Sequence, residues 1–265
     1  MSIPELGGSW ALILGASSGF GAATARALAR KGVNIFGVHL DRKATQPQVD
    51  ALVEEIRGVG VRVRFFNVNA ADPDKRRQVL DAMGEEMGDG RKVRVLLHSL
   101  AFGALKPFTG SPDERVTQPQ MDMTLDVMAH SLVYWTQGLL ERGFFEKGGR
   151  IFAMTSSGGQ RVWPRYGAVS AAKAALESHV RQLALELAPL GITANAIRAG
   201  VTDTPALRKI PGHEHMVRTA LARNPMGRLT TPEDVASAIA LLAEPGTHWL
   251  TGNVIGVDGG EDITG

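Results

Sequence analysis

WALILGASSGFGAATARALARKG, residues 10–32, reads as a short apolar strand, a glycine-rich turn and an alanine-rich helix closed by Gly32. Five apolar residues, Trp10 to Leu14, stop at GASSGFG (15–21), and the helical pattern follows at once. Glycines at such a junction let the backbone approach a pyrophosphate, and the N-terminus of the helix meets its negative charge. A glycine triplet alone is more often a plain tight turn. The strand before this one and the helix after it are what make it a nucleotide signal.

Outward from that unit the alternation continues. VNIFGVHL (33–40) reads as a strand, 47–58 as a helix, VRVRFFNV (61–68) as a strand and 72–87 as a helix. VRVLLHS (93–99), RIFAMTS (150–156), GITANAIRAG (191–200) and NVIGVDGG (253–260) are further strands. Between them lie helices over 121–142, from Tyr166 to just before Pro189, and over 231–245, the last with Thr231 as N-cap and Pro232 in its first turn. Strands alternating with helices predict an α/β chain. The expected architecture is a single Rossmann-like doubly wound domain over 1–265, with a seven-stranded parallel sheet and helices on both faces. VTDTPALRKIPGHEHMVRTALARNPMGRL (201–229) is broken by Pro and Gly into short helical pieces and is expected to be a substrate-binding lid within that domain.

Composition narrows the function classes. Of the 265 residues 44% are hydrophobic and 21% charged, which is ordinary globular usage, and no linker divides the chain. Lys and Arg number 29 against 27 Asp and Glu, scattered apart from clusters at 75–77 and 91–94, so no nucleic-acid surface is expected despite a sequence pI near 9.0. With no cysteine, disulfide and thiolate chemistry are excluded and a reducing compartment is permitted. MSIPELGGSW (1–10) lacks a basic region followed by an apolar core, and no run reaches membrane-spanning length. A cytoplasmic protein with no membrane, nucleic-acid or metal partner is the expectation. His213-Glu214-His215 does not have the spacing of a zinc helix.

The strand ends carry the candidate site. His39-Leu40-Asp41-Arg42-Lys43 closes the second strand, where an acid would grip a ribose 2′-hydroxyl and a base would accept a 2′-phosphate. Both are present, and a solvated charged turn is the plainer alternative. Asn67-Val68 either lines an adenine pocket or simply ends a strand. His98 and Ser99 stand at the fourth strand's ligand edge, yet a histidine beside an apolar strand is more often packed and hydrogen-bonded than catalytic. Met121, Leu125, Met128, Leu132 and Trp135 form a stripe at helical spacing, expected to be core or subunit contact, and Tyr134 a packing residue.

SSGGQRVWPRYGAVSAAK (156–173) joins a strand that ends in hydroxyls to a long helix. Tyr166 and Lys173 are seven residues apart, about 700° of rotation and about 10 Å of rise, and so share one face. A phenol that donates a proton, beside a lysine that lowers its pKa by charge, is an acid pair. The plainer alternative is that Tyr166 starts the helix and Lys173 is solvated.

Glycine turn, Asn-Val, strand-four edge, Ser…Tyr…Lys and terminal VDGG, in that order, resemble the short-chain dehydrogenase/reductase family from Trp10 to Gly260. In common members the tyrosine lies four residues before the lysine. Here that position is Val169, which cannot donate a proton. Tyr-x6-Lys instead resembles the enoyl-acyl-carrier-protein reductase branch, as do HSLAFG (98–103), AGVTDT (199–204) and ALRKIPGHEHM (206–216). The lid and Ser156 look closest to its NADPH-using variant. Met128 stands where common members carry the Asn of a proton relay, so that relay is not carried over. The spacing has a physical reading as well. In a 2-enoyl thioester, hydride goes to C3 and charge develops on an oxygen two carbons away, so the acid must lie farther from the nicotinamide than for a ketone. Three extra residues move it by about 4.5 Å.

The resemblance implies roles residue by residue. Tyr166 hydrogen-bonds the enolate oxygen and delivers a proton, Lys173 binds the nicotinamide ribose and supplies positive charge, and Ser156 orders the site or a water. Gly15, Ser17, Ser18, Gly19, Phe20 and Gly21 surround the pyrophosphate, and Asn67 and Val68 meet the adenine. Ser99, Leu100 and Thr204 serve the nicotinamide half, and Thr155, Ala199, Gly200 and Thr202 are further cofactor-binding residues. The cofactor is NADPH or NADH: His39, Arg42 and Lys43 around the 2′ position favour NADPH, and Asp41 is the objection. The implied substrate is an acyl thioester on acyl-carrier protein or coenzyme A, and the implied assembly a homotetramer built on the helices around 121–142 and 164–188. A carbonyl or 3-oxoacyl reductase, an alcohol dehydrogenase, and a dinucleotide-binding protein without turnover are the alternatives.

Overall fold

β1 (Trp10–Leu14), β2 (Asn34–His39), β3 (Val63–Asn67), β4 (Val93–His98), β5 (Phe145–Thr155), β6 (Thr193–Ala199) and β7 (Val254–Val257) form one sheet in a computed structural model of the chain. It describes residues 5–90 and 92–264; the stretch 1–4 read above for a leader, and Arg91 of the 91–94 cluster, lie outside them. The order is β3-β2-β1-β4-β5-β6-β7 and every neighbouring pair is parallel. The chain winds one way from β1 to β3 and the other way from β4 to β7. The carboxyl ends of β1 and β4 therefore flank the switch point, where open α/β sheets bind ligands.

The helices are α1 (Gly19–Ala29), α2 (Gln46–Gly58), α3 (Pro73–Met87), α4 (Gln118–Leu125), α5 (Ser131–Glu141), α6 (Gly167–Leu187), α7 (His213–Arg223) and α8 (Pro232–Leu242). Side chains of a strand alternate between faces, and β1 shows what that does. Trp10, Leu12 and Leu14 pack with Val79 and Met83 of α3, Leu132 and Trp135 of α5, and Leu176 and Val180 of α6. Ala11 and Ile13 pack on the other face with Leu28 of α1, Leu52 of α2 and Ile239 of α8. Both faces are covered, and so β1 is apolar throughout rather than alternating. Truncating Leu12, which is wholly buried, to alanine should cost about 2–5 kcal/mol.

Local signals set the helix starts. The Asp72 carboxylate accepts from the N–H groups of Asp74 and Lys75 ahead of Pro73, and the Thr231 hydroxyl accepts from Asp234 N–H while the Asp234 carboxylate accepts from Thr231 N–H. One expectation is corrected. The single helix over 121–142 is α4 and α5 joined by a π turn, Asp126–His130, where Ser131 N–H bonds Asp126 C=O five residues back. The stretch 201–229, expected to be a lid, holds a short 3₁₀ turn, Leu207–Lys209, and α7. No described helix is long and apolar enough to cross a membrane.

Candidate active site

The glycine turn leaves β1 at the switch point. Gly15 has φ 87°, and a Cβ there would stand 2.3 Å from the Ser99 carbonyl oxygen at the end of β4. A Cβ on Gly21 would lie 2.0 Å from the Gly15 carbonyl oxygen. These two glycines are packing requirements: one draws the turn onto β4, the other draws α1 onto the turn. Gly19, φ 51°, opens α1 and faces the Thr204 methyl, which an added Cβ would meet at 3.5 Å. Ser18 is the N-cap residue, yet its hydroxyl caps nothing, which leaves the N-terminus of α1 to a ligand. Ser17, Phe20, Ser99, Leu100, Ala199 and Gly200 ring the same edge half-buried, and Thr202 and Thr204 are buried beside them. Thr202 donates to Gly200 C=O, and Thr204 Oγ1 accepts from Leu207 N–H, so both fix the loop that leaves β6.

Across the switch point, β5 ends at Thr155 and Ser156, and α6 brings Tyr166 and Lys173 beside them. Tyr166 is the residue that precedes α6 rather than a member of it. Arg165 before it has φ 65°, a left-handed conformation that turns the chain into the helix. Burial raises the Tyr166 pKa above its usual 10.0, and the adjacent Ser156 hydroxyl offsets this in part. Ser156 Oγ is buried and not aligned into a hydrogen bond with the phenol or any other described group. A buried hydroxyl without a partner beside a phenol suits a substrate oxygen. Gly158 makes room for the tyrosine ring: a Cβ there would lie 2.5 Å from Tyr166 Cε1.

Lys173 is only 6% exposed, and its Nζ donates to Met154 C=O at 2.6 Å. Burial lowers its pKa to about 8, against the raising effect of the Glu177 charge. Val169, at the position of the common tyrosine, is buried with Met128 and Ala172, and Leu105 and Tyr166 pack against that cluster. His98 is a packed residue. It is fully buried, with Nε2 2.9 Å from Ser131 Oγ, and burial, then the charge of Lys173, push its pKa down to about 3. Because the Ser131 hydroxyl donates to Val127 C=O, it must accept from His98 Nε2–H.

At the far end of the groove, Asp41 sits inside its own loop. His39 Nδ1 lies 3.0 Å from Asp41 Oδ2, and Thr45 donates to Oδ1 at 2.9 Å. Burial pushes the Asp41 carboxyl up, but hydrogen bonds from Ser17, Thr45 and His39 together hold it below its ordinary value. His39 is buried against Phe65 and Asp41, while Arg42 and Lys43 are exposed. The Asn67 side chain accepts from Asp41 N–H and donates to Asp41 C=O and Gln46 Oε1, so it shapes this loop. Val68 packs half-buried against the core behind it.

The comparisons with known proteins agree with this geometry. Residues 15–261 match the family model described as enoyl-(acyl carrier protein) reductase. The chain belongs to the short-chain dehydrogenase/reductase family. It is 29% identical to a 3-oxoacyl-[acyl-carrier-protein] reductase of Thermotoga maritima, over 97% of this chain and 98% of that one. It is 31% identical to a 1-cyclohexenylcarbonyl-CoA reductase of Streptomyces collinus, over 95% of this chain and 86% of that one. Among solved structures, the enoyl-[acyl-carrier-protein] reductase (NADH) of Aquifex aeolicus VF5 superposes with a TM-score of 0.83 at 28% identity, covering 98% of each chain. This short-chain dehydrogenase/reductase is an NAD(P)H-dependent oxidoreductase. Its uncapped α1 terminus and the Cβ-free turn fit a dinucleotide pyrophosphate, and Lys173 stands where it would hold the nicotinamide ribose.

Three features of this dehydrogenase site escaped the sequence reading. Glu177 is buried one helical turn beyond Lys173 and accepts from the Thr155 hydroxyl at 2.7 Å; its i+4 spacing from the lysine was the available signal. Asp262, near the C-terminus, pairs with Arg161 of the loop between Ser156 and Tyr166 and with Arg198 of β6. Trp163 of that loop donates to Pro211 C=O and stacks on His215, tying the 201–229 stretch to the residues that precede Tyr166. Thus His215 is an aromatic partner, and His213 lies 3.6 Å from Glu214.

Proposed function

We propose that this chain reduces the C2=C3 double bond of a 2-enoyl thioester, carried on acyl-carrier protein or coenzyme A. The observation that carries the reading is the apolar cluster of Val169, Met128 and Ala172 at the common tyrosine's position, with Tyr166 standing before it next to Ser156. When bound, the reduced nicotinamide supplies hydride. Tyr166 then donates to the thioester oxygen, on which charge grows, and Lys173 adds positive charge to the same region. Burial keeps the phenol protonated at neutral pH, as a donor must be. The family model's description, the Aquifex aeolicus structure and the Streptomyces collinus reductase support the same chemistry. Tyr166→Phe should lower crotonyl-thioester turnover by about 10²–10⁴-fold while leaving the cofactor dissociation constant unchanged; near-wild-type turnover would remove the tyrosine from the mechanism.

A carbonyl reductase is the second reading. It is favoured by the Thermotoga maritima relative and by the unpartnered Ser156 hydroxyl, which would suit a ketone oxygen. For the cofactor we favour NADPH. The lone pairs of Asp41 are spent on Ser17, Thr45 and His39, and Arg42 and Lys43 stand exposed beside it to receive a 2′-phosphate. Replacing Arg42 and Lys43 by alanine should raise the Michaelis constant for NADPH far more than that for NADH. Equal effects would reverse the preference.

A further inference from the structure

We propose that Glu177 is a positioning residue for Lys173: its carboxylate, tethered by the Thr155 hydroxyl beneath the turn that follows β5, keeps the buried lysine charged and aimed at the cofactor. The inference rests on Lys173 as the ribose-holding lysine of a dehydrogenase site and is independent of whether the substrate is an enoyl thioester or a ketone.

Geometry comes first. Lys173 and Glu177 are 6% and 7% exposed, and they lie one turn apart on the same face of α6. Glu177 Oε1 accepts from Thr155 Oγ1 at 2.7 Å, and Thr155 is the last residue of β5. Lys173 Nζ donates to the carbonyl of Met154, the residue before it. Lysine and glutamate are thus anchored to adjacent residues at one strand end, on the ligand edge of the sheet. The 3₁₀ turn Ser157–Gly159 closes over both: a Cβ on Gly159 would lie 3.3 Å from Glu177 Oε1 and 3.5 Å from Lys173 Cβ.

Burying an ammonium is costly unless an opposite charge is near, and burying a carboxylate is equally so. The two make no ion-pair contact, so the attraction acts through a low-dielectric gap and leaves the Nζ hydrogens free for a ribose. Other titratable groups near this strand end are Tyr166, which precedes α6, and His98 on β4. The π turn contributes apolar Met128, and the His130–His179 pair lies beyond, coupled to His98. Tyr166 and His98 are both neutral near pH 7, the phenol held up by burial and the imidazole held down by it. Among the described residues, Glu177 is the anion whose charge acts on the lysine. Burial takes Lys173 down to about 8, and Glu177 opposes the fall.

The test reads cofactor affinity, not turnover. NADPH and NADH dissociation constants are measured by nucleotide fluorescence from pH 6 to pH 10 for the wild type, Glu177→Gln and Glu177→Asp. Glutamine keeps the shape and can still accept from Thr155, whereas aspartate keeps the charge and loses reach. Affinity in the wild type should fall as pH rises through the lysine's titration. Glu177→Gln should move that fall to lower pH by about half a unit or more, and Glu177→Asp should leave it near the wild-type position. If Glu177→Gln does not fold, as judged by thermal melting, Glu177→Met, apolar and of similar size, is read for the same displacement. A limb unmoved by loss of the charge, an Asp variant displaced as far as the Gln variant, or a wild type with no alkaline limb overturns the proposal. Failure of the enoyl reading would instead appear as absent crotonyl turnover with this profile intact.

Discussion

Gly158 constrains where the chain can hold Tyr166, the proposed proton donor. A methyl group on Gly158 would stand 2.5 Å from Tyr166 Cε1 and 3.2 Å from Ser156 Oγ, so one of the two must move. Because the ring packs on a small cluster apart from the two main cores, displacement should cost position more than stability. Gly158→Ala is expected to lower kcat by about tenfold or more, with the melting temperature within a few degrees of wild type. Turnover at the wild-type rate would show that the ring position seen here is not the reactive one. Much of this site was legible at the residue scale: Tyr166, Lys173, Ser156 and the glycines announce themselves by type and spacing. Glu177 did not, because a glutamate on an alanine-rich helix looks like any solvated charge until its burial is known. Asn67 was legible as a strand-end residue, but its three bonds to the Asp41–Gln46 loop depend on how β2 and β3 pair.

At the scale of elements, the strands were the clearest because seven apolar runs separated by helices read as a parallel sheet, while their order, β3-β2-β1-β4-β5-β6-β7, had no signature in the sequence. The π turn between α4 and α5 was hidden, since MDMTLDVMAHSLVYW contains neither proline nor glycine. Its cause is tertiary: the extra residue goes with Met128 in the cluster beside Tyr166 and with Ser131 under His98. His98 donates from β4 to that turn in either protonation state, but burial, then the charge of Lys173, disfavours its cation. Its folded pKa, about 3, lies below its ordinary 6.5, so the unfolded chain takes up the proton first. Stability from this group is full above about pH 6.5 and is lost as pH falls toward 3. Between pH 6.5 and 5, above the range of the carboxylates, the wild-type melting temperature should fall, and His98→Gln should flatten that slope. Equal slopes would place the imidazole's titration elsewhere.

For the molecule as a whole, three distant stretches meet at one sheet edge: the glycine turn after β1, the Ser156–Tyr166 loop, and the 201–229 stretch with the C-terminal residues. Thr204 faces Gly19 across the groove, Trp163 reaches Pro211 and His215, and Asp262 holds Arg161 and Arg198 together. None of these pairings has a local signature, because each joins residues whose separation in sequence carries no periodicity. What the sheet order does decide is that all three stand on its carboxyl edge, where Val169 lies in an apolar cluster with Tyr166 packed against it, and the reaction proposed there is enoyl reduction. The most direct test of that claim is a competition. Equal amounts of crotonyl and acetoacetyl thioester are offered with NADPH deuterated on the transferring face, and the products are read by NMR. Deuterium should appear predominantly at C3 of the saturated butyryl thioester. Deuterium found instead at C3 of the 3-hydroxybutyryl thioester would contradict enoyl reduction and assign the site to carbonyl chemistry.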